Sequence, residues 1–362
     1  MRQQRPEVPR IKVVGLQFAL VLVAAGLVTG CSVPPRVGAA LNNASSSIAG
    51  APLQAPTTTT TAVAPSPSAP VTSSQPATPA TPPAPVPVVP TTPASTPAPA
   101  TPPKTPSTPD MAVLQKQVAD YLDQQDGTYG AYIIDLVSGR GVGINQDQPF
   151  PAASTFKLPM AMYILDQVEQ GKASLDEKLA YTADDYEEGT GTLQDTVSEG
   201  DTFTVKQLIT LAIEESDNIA TNMLLRRYGR TNVFAFEQKM GGKVTMFDED
   251  TVGTTPKEMA SYMQQAYGTK VIADSTLRQF LINLLENTAW DSRTAAGVPD
   301  GVKVAHKIGT LPGVINDVGL VFAPNRSFIV SVYSINVDED TAADVIAGVT
   351  QKVYKYEEGL AQ

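Results

Sequence analysis

The 362-residue chain carries a formal net charge of −11, one cysteine and one histidine. A single thiol excludes an intramolecular disulfide and a multi-cysteine metal site, and one imidazole leaves only carboxylates as further ligands, a poor set for zinc. Phosphate binding draws on clustered Lys and Arg, which are lacking here, so nucleic acid is excluded as a partner; no cofactor and no metal are expected.

Residues 1–31 open with four basic side chains and one acid, then an apolar run from Val13 to Val28 that is too short for a confident membrane span. This is a signal-peptide pattern. Its last residues, VTGC, resemble the lipobox of bacterial lipoproteins, which implies lipidation of Cys31, a membrane anchor and an extracytoplasmic location in a bacterial envelope.

Residues 32–108 form the second segment, and from about Ala44 it is almost entirely Pro, Thr, Ser, Ala and Val. Without large apolar side chains it cannot offset the entropy of folding, so an extended linker is expected. At about 3.1 Å per residue its reach is at most roughly 200 Å.

The folded domain is expected over 109–362, where about 250 residues suffice for one substantial core. Asp110 can cap a helix whose apolar positions Met111, Leu114, Val118 and Leu122 share one face. GAYIIDLVSGRGVGINQ then reads as two strands about the turn Ser138-Gly139. Helical patterns dominate from Thr155 to about Asn287. Strand patterns return in VKVAHKIGT, INDVGLVFA and SFIVSVYSI, and AADVIAGVTQKVYKYEE closes the chain as a helix. The fold class is therefore α+β: an antiparallel sheet flanked by N- and C-terminal helices, with an all-helical inserted region and a cleft where the two meet.

One short stretch, PAASTFKLPM, pairs Ser154 with Lys157 at the start of an apolar helix. Free backbone N–H groups there favour developing negative charge, and Lys157 projects from the same side. A lysine in a partly dry site beside a second cation can lose enough basicity to act as a base, which would activate Ser154 without histidine. Downstream lie SDN at Ser216–Asn218 and KIGT at Lys307–Thr310.

STFK, SDN and a K-x-G strand, in that order, resemble the class A β-lactamase and penicillin-binding family, as does GTTPKEMA at 253–260. The resemblance covers essentially the whole folded part. It implies that Ser154 is acylated, that Lys157 is its base or proton relay, and that Ser216 passes the proton to the leaving nitrogen. It further implies that Asn218 holds the substrate amide and positions Lys157. Lys307 would attract the substrate carboxylate, with Gly309 and Thr310 completing the binding strand. Backbone N–H groups of Ser154 and Thr310 would form the oxyanion hole. The substrate would be a β-lactam or a D-Ala-D-Ala-type peptidoglycan peptide. Apart from the resemblance, a monomer is expected, although sequence does not fix the oligomeric state.

Two departures stand against this pattern. The stretch KVTMFDEDTVGTTP lacks the Glu-x-x-Leu-Asn element whose Glu activates the deacylating water, leaving Asp248, Glu249 and Asp250 as substitutes or as a solvated acidic turn. Ile308 stands where the family usually has Thr or Ser, and it cannot donate to a carboxylate; Thr310, two residues along the strand, is the candidate replacement. These departures also motivate an alternative, a non-catalytic cell-wall-binding lipoprotein with the same fold. His306, next to Lys307 on a strand, is expected to face away from the cleft as a packing or surface residue.

Overall fold

The structure, a computed structural model, describes residues 110–361. The expected signal peptide, Cys31 and the expected linker lie outside the described residues. Nine strands and nine α-helices are formed within them. The strands are β1 (Thr128–Asp135), β2 (Gly141–Ile144), β3 (Phe150–Pro151), β4 (Lys178–Ala180), β5 (Thr202–Thr204), β6 (Gly253–Thr254), β7 (Lys303–Leu311), β8 (Val314–Phe322) and β9 (Phe328–Ile335). The helices are α1 (Met111–Leu122), α2 (Lys157–Glu169), α3 (Leu193–Thr196), α4 (Val205–Glu214), α5 (Asn218–Tyr228), α6 (Arg230–Lys239), α7 (Pro256–Tyr267), α8 (Ser275–Glu286) and α9 (Glu339–Ala361).

Five strands make one antiparallel sheet in the order β2-β1-β9-β8-β7. Helices α1 and α9 cover one face, burying the expected Met111, Leu114, Val118 and Leu122 against Val330, Val345 and Val349. The remaining large helices pack on the other face around Leu158, Met162, Ile209, Met223 and Leu285. A strand covered on both faces has no solvent side, so β8 is buried over eight consecutive residues and its sequence, VINDVGLV, does not alternate. The α+β architecture matches the sequence expectation. The inserted region is helical apart from two short ribbons, β3–β6 and β4–β5, whose two- and three-residue strands are too brief to give a periodic signal.

A buried ionic triad closes the hairpin side of the sheet. Arg326, in the β8–β9 turn, donates to Asp135 at the end of β1, and its Nε lies 2.9 Å from Glu357 Oε2 on α9. Burial, reinforced by Asp135, pushes the Glu357 carboxyl up to about 7 against the opposing pull of Arg326.

Candidate active site

Ser154 lies in a single 3₁₀ turn, Ala153–Phe156, that runs directly into α2. The turn is clamped from the sheet. Asn316 on β8 donates to Pro151 O at 2.8 Å, Thr155 Oγ1 donates to Ala152 O at 2.7 Å, and Tyr333 on β9 donates to Thr155 Oγ1 at 2.7 Å. Ala153, just before Ser154, sits at φ +46, a left-handed conformation unfavourable for a residue with a Cβ. Strand β7 can lie against the turn because residue 309 is glycine: a Cβ there would fall 2.7 Å from Ala152 O.

One helical turn after Ser154 the Lys157 ammonium meets the SDN corner. Nζ donates to Ser216 O at 2.5 Å and to Asn218 Oδ1 at 2.9 Å, with Ser216 Oγ at 3.3 Å. Ser216 holds this position at φ +58 in the break between α4 and α5. The middle residue, Asp217, is fully buried and caps α5, accepting from Ala220 N at 2.8 Å, while its other oxygen accepts from Leu193 N at 2.9 Å. From the opposite side Lys307 Nζ donates to the same Ser216 Oγ at 3.1 Å. Two lysines thus converge on one hydroxyl.

Both ammonium groups are removed from water, and burial is the principal cause that lowers each. Lys157 falls to about 7 although Asp217 and Glu187 oppose the shift. Lys307 falls well below its ordinary value, with the Lys157 charge adding to the effect. A lysine at about 7 is partly neutral at physiological pH and can accept a proton.

Ser154, Lys157, Ser216, Asn218 and Thr310 border one cleft of about 680 Å³ between the sheet and the helical region. Lys307 reaches it from below through Ser216, and Gly309 supplies the close approach under the Ser154 turn. All seven residues of the expected constellation are therefore brought together. Ile308 also borders the cleft and is nearly buried, so an apolar side chain stands there. Thr310 stands close by, and its Oγ1 accepts a 2.6 Å hydrogen bond from Arg293.

Arg293 escaped the sequence reading. It lies between α8 and β7, and only the fold carries its guanidinium, 5% exposed, onto the β7–β8 pair, where Nη1 donates to Asn316 O of β8 at 2.8 Å and to Gly309 O of β7 at 3.2 Å. His306 lies as expected away from the cleft, buried, with Nδ1 2.9 Å from Asp317. Burial disfavours its charged form, but Asp317 and Asp291 override this and hold the imidazole above its ordinary value.

The loop that borders the cleft with Ser154 sorts the three acids. Asp248 Oδ1 accepts from Asp250 N at 3.0 Å and Thr251 N at 2.7 Å, so this carboxylate caps its own turn. Asp250, by contrast, borders the cleft beside Thr251 and Val252, and Glu249 is absent from the lining.

A family model described as the β-lactamase enzyme family matches residues 113–357. The chain belongs to this family. Its folded part resembles the β-lactamase of Streptomyces albus G, 30% identical over 238 residues, or 59% of this chain and 74% of that protein. The β-lactamase SME-1 of Serratia marcescens is 28% identical over 246 residues, covering 62% of this chain and 82% of that one. Among solved structures, PBP-A superposes with a TM-score of 0.65 at 27% identity, over 69% of this chain and 97% of that chain. A PBP-A mutant has been solved as an acyl-enzyme complex with penicillin G. An ancestral class A β-lactamase gives a TM-score of 0.61 at 32% identity, over 67% of this chain and 99% of its own. The protein is a β-lactamase-like serine hydrolase.

Proposed function

We propose that this β-lactamase family member is an extracytoplasmic protein, lipid-anchored at Cys31, that opens β-lactams or D-Ala-D-Ala-type peptides through an ester on Ser154. The observation that carries the proposal is the convergence of Lys157 and Lys307 on Ser216 Oγ beside the Ser154 turn, at 3.3 and 3.1 Å.

Neutral Lys157 takes the Ser154 proton as Oγ bonds to the substrate carbonyl carbon. Negative charge moves to the carbonyl oxygen, facing the backbone N–H groups of Ser154 and Thr310. Collapse breaks the C–N bond, and the proton travels from Lys157 to Ser216 and from Ser216 to the leaving nitrogen. The short Lys157–Ser216–Lys307 contacts suit that relay. Asn218, whose Oδ1 faces Lys157, keeps its amide at the cleft for the substrate's own amide. Thr310, which borders the cleft and is held by Arg293, offers its hydroxyl to the substrate carboxylate, with Lys307 buried behind it through Ser216. Water then hydrolyses the ester.

Intact-mass time courses of the purified protein with a penicillin and a chromogenic cephalosporin test the reading. A gain of one β-lactam mass on the Ser154 peptide, abolished in Ser154→Ala, is the expected result. Labelling that survives that change overturns the assignment of the nucleophile. Anchoring is tested separately: Cys31→Ser should release the protein from the membrane fraction.

A further inference from the structure

The helical wall of the cleft carries a carboxylate that the family motifs do not include. We infer that Glu187 is a further catalytic residue, the base that activates water against the Ser154 ester; this rests on the acyl-Ser154 reading above.

Three observations support it. The first is placement. Glu187 borders the same cleft as Ser154, and its Oε2 accepts a 2.8 Å hydrogen bond from Asn222 Nδ2. Asn222 lies one turn along α5 from Asn218, so their side chains are neighbours on one helix face, and Asn218 is itself the partner of Lys157.

The second observation is rigidity. Residues 185–191 are fastened to α5 on both sides of Glu187. Asp185 takes Arg226 in two hydrogen bonds of 2.8 and 2.9 Å. Thr190 Oγ1 donates to Ser216 O at 2.6 Å, and Asn218 N donates to Thr190 O at 3.1 Å. Gly189, at φ +138, passes so near Asn218 that a Cβ would lie 2.9 Å from its Nδ2. A base held by a rigid frame loses little entropy in reaching its geometry.

The third is charge. Among the cleft-lining carboxylates Glu187 is the one whose field bears on Lys157, ahead of Asp250 across the cleft. Both Asp250 and Glu187 are exposed, but Asp250 sits on a turn organised by Asp248, whereas Glu187 is held by Asn222 on the helix that carries Asn218.

The step balances as an ester hydrolysis. The Glu187 carboxylate takes a proton from water while the water oxygen bonds to the acyl carbon, and the carbonyl electron pair moves to the oxyanion. Collapse breaks the bond between the acyl carbon and Ser154 Oγ, and the Glu187 proton returns to that oxygen. The products are the free acid and the Ser154 hydroxyl.

The test separates acylation from deacylation in the intact protein, with penicillin G as probe and mass spectrometry as readout. Glu187→Gln keeps the shape and the Asn222 contact of the side chain while removing its basicity. The expected result is deacylation slowed on the order of 100-fold or more, with acylation changed only a few-fold, so that the adduct accumulates. Asn222→Ala, which releases Glu187, should slow deacylation less. An adduct that clears at the wild-type rate in Glu187→Gln overturns the inference, and so does an equal slowing of both steps. A loss confined to Asp250→Asn transfers the role to the opposite loop and also overturns it. Failure of the wild-type protein to form any adduct would instead refute the acyl-Ser154 reading beneath it.

Discussion

On one side of the cleft, Lys157, Ser216, Asn218 and Lys307 are drawn together by hydrogen bonds of 2.5–3.3 Å. Lys157, Ser216 and Lys307 are buried to 1% exposure or less. On the other side, the loop 243–252 presents Asp250 from an exposed turn, its nearest acid already engaged in capping. Dry, mutually fixed groups can be tuned far from their ordinary proton affinity, as both lysines are. The first wall thus carries fixed, burial-tuned groups, and the second offers an exposed acidic turn.

The contrast breaks most sharply at Lys157. Lys157→Ala should slow acylation by about 10²–10⁴-fold, the usual worth of a positioned base, in stopped-flow mixing with a chromogenic cephalosporin. Because burial brings Lys157 to about 7, the acylation rate should rise about tenfold per pH unit below 7 and flatten above it. A flat profile between pH 5 and about 7 would show that Lys157 is not the proton acceptor.

Smaller effects sharpen the carboxylate end. Arg293→Ala removes a guanidinium from Thr310 and should raise KM about tenfold for substrates with a free carboxylate, with less effect on their esters. Ile308→Thr restores a hydroxyl at a nearly buried cleft position and should raise kcat/KM several-fold, consistent with about 1 kcal/mol for one hydrogen bond.

The smallest effect lies away from the cleft. Glu357 holds its proton to about 7 in the folded state, so stabilisation from that proton is complete below the ordinary carboxylate range and lost as pH rises through 7. Urea midpoints of Glu357→Gln should therefore fall less between pH 5 and about 7 than those of the wild type.

Legibility in the sequence follows the same division. Asp110 capping α1, the apolar face of that helix and the strands around Lys307 are local properties, and the periodicities of short segments reported them. The Ser154, Ser216 and Lys307 motifs were legible because each is a short string with fixed internal spacing. Arg293 and Glu187 were not. Each becomes relevant through partners distant in sequence, Asn316 for one and Asn222 for the other, and nothing in their immediate neighbours marks them. The ribbons β3–β6 and β4–β5 were invisible for a related reason, since a strand of two or three residues is defined by its partner rather than by alternation.

The order β2-β1-β9-β8-β7 seats the earliest strand beside the latest one, and α1 beside α9. The central seam of the sheet therefore cannot be sewn while the ribosome is still adding residues 328–335, because β1 has no β9 to receive. Such distant pairing slows folding and leaves the growing polypeptide threadable until its last strand is delivered. Until that strand is made, one edge of β1 stays open to water.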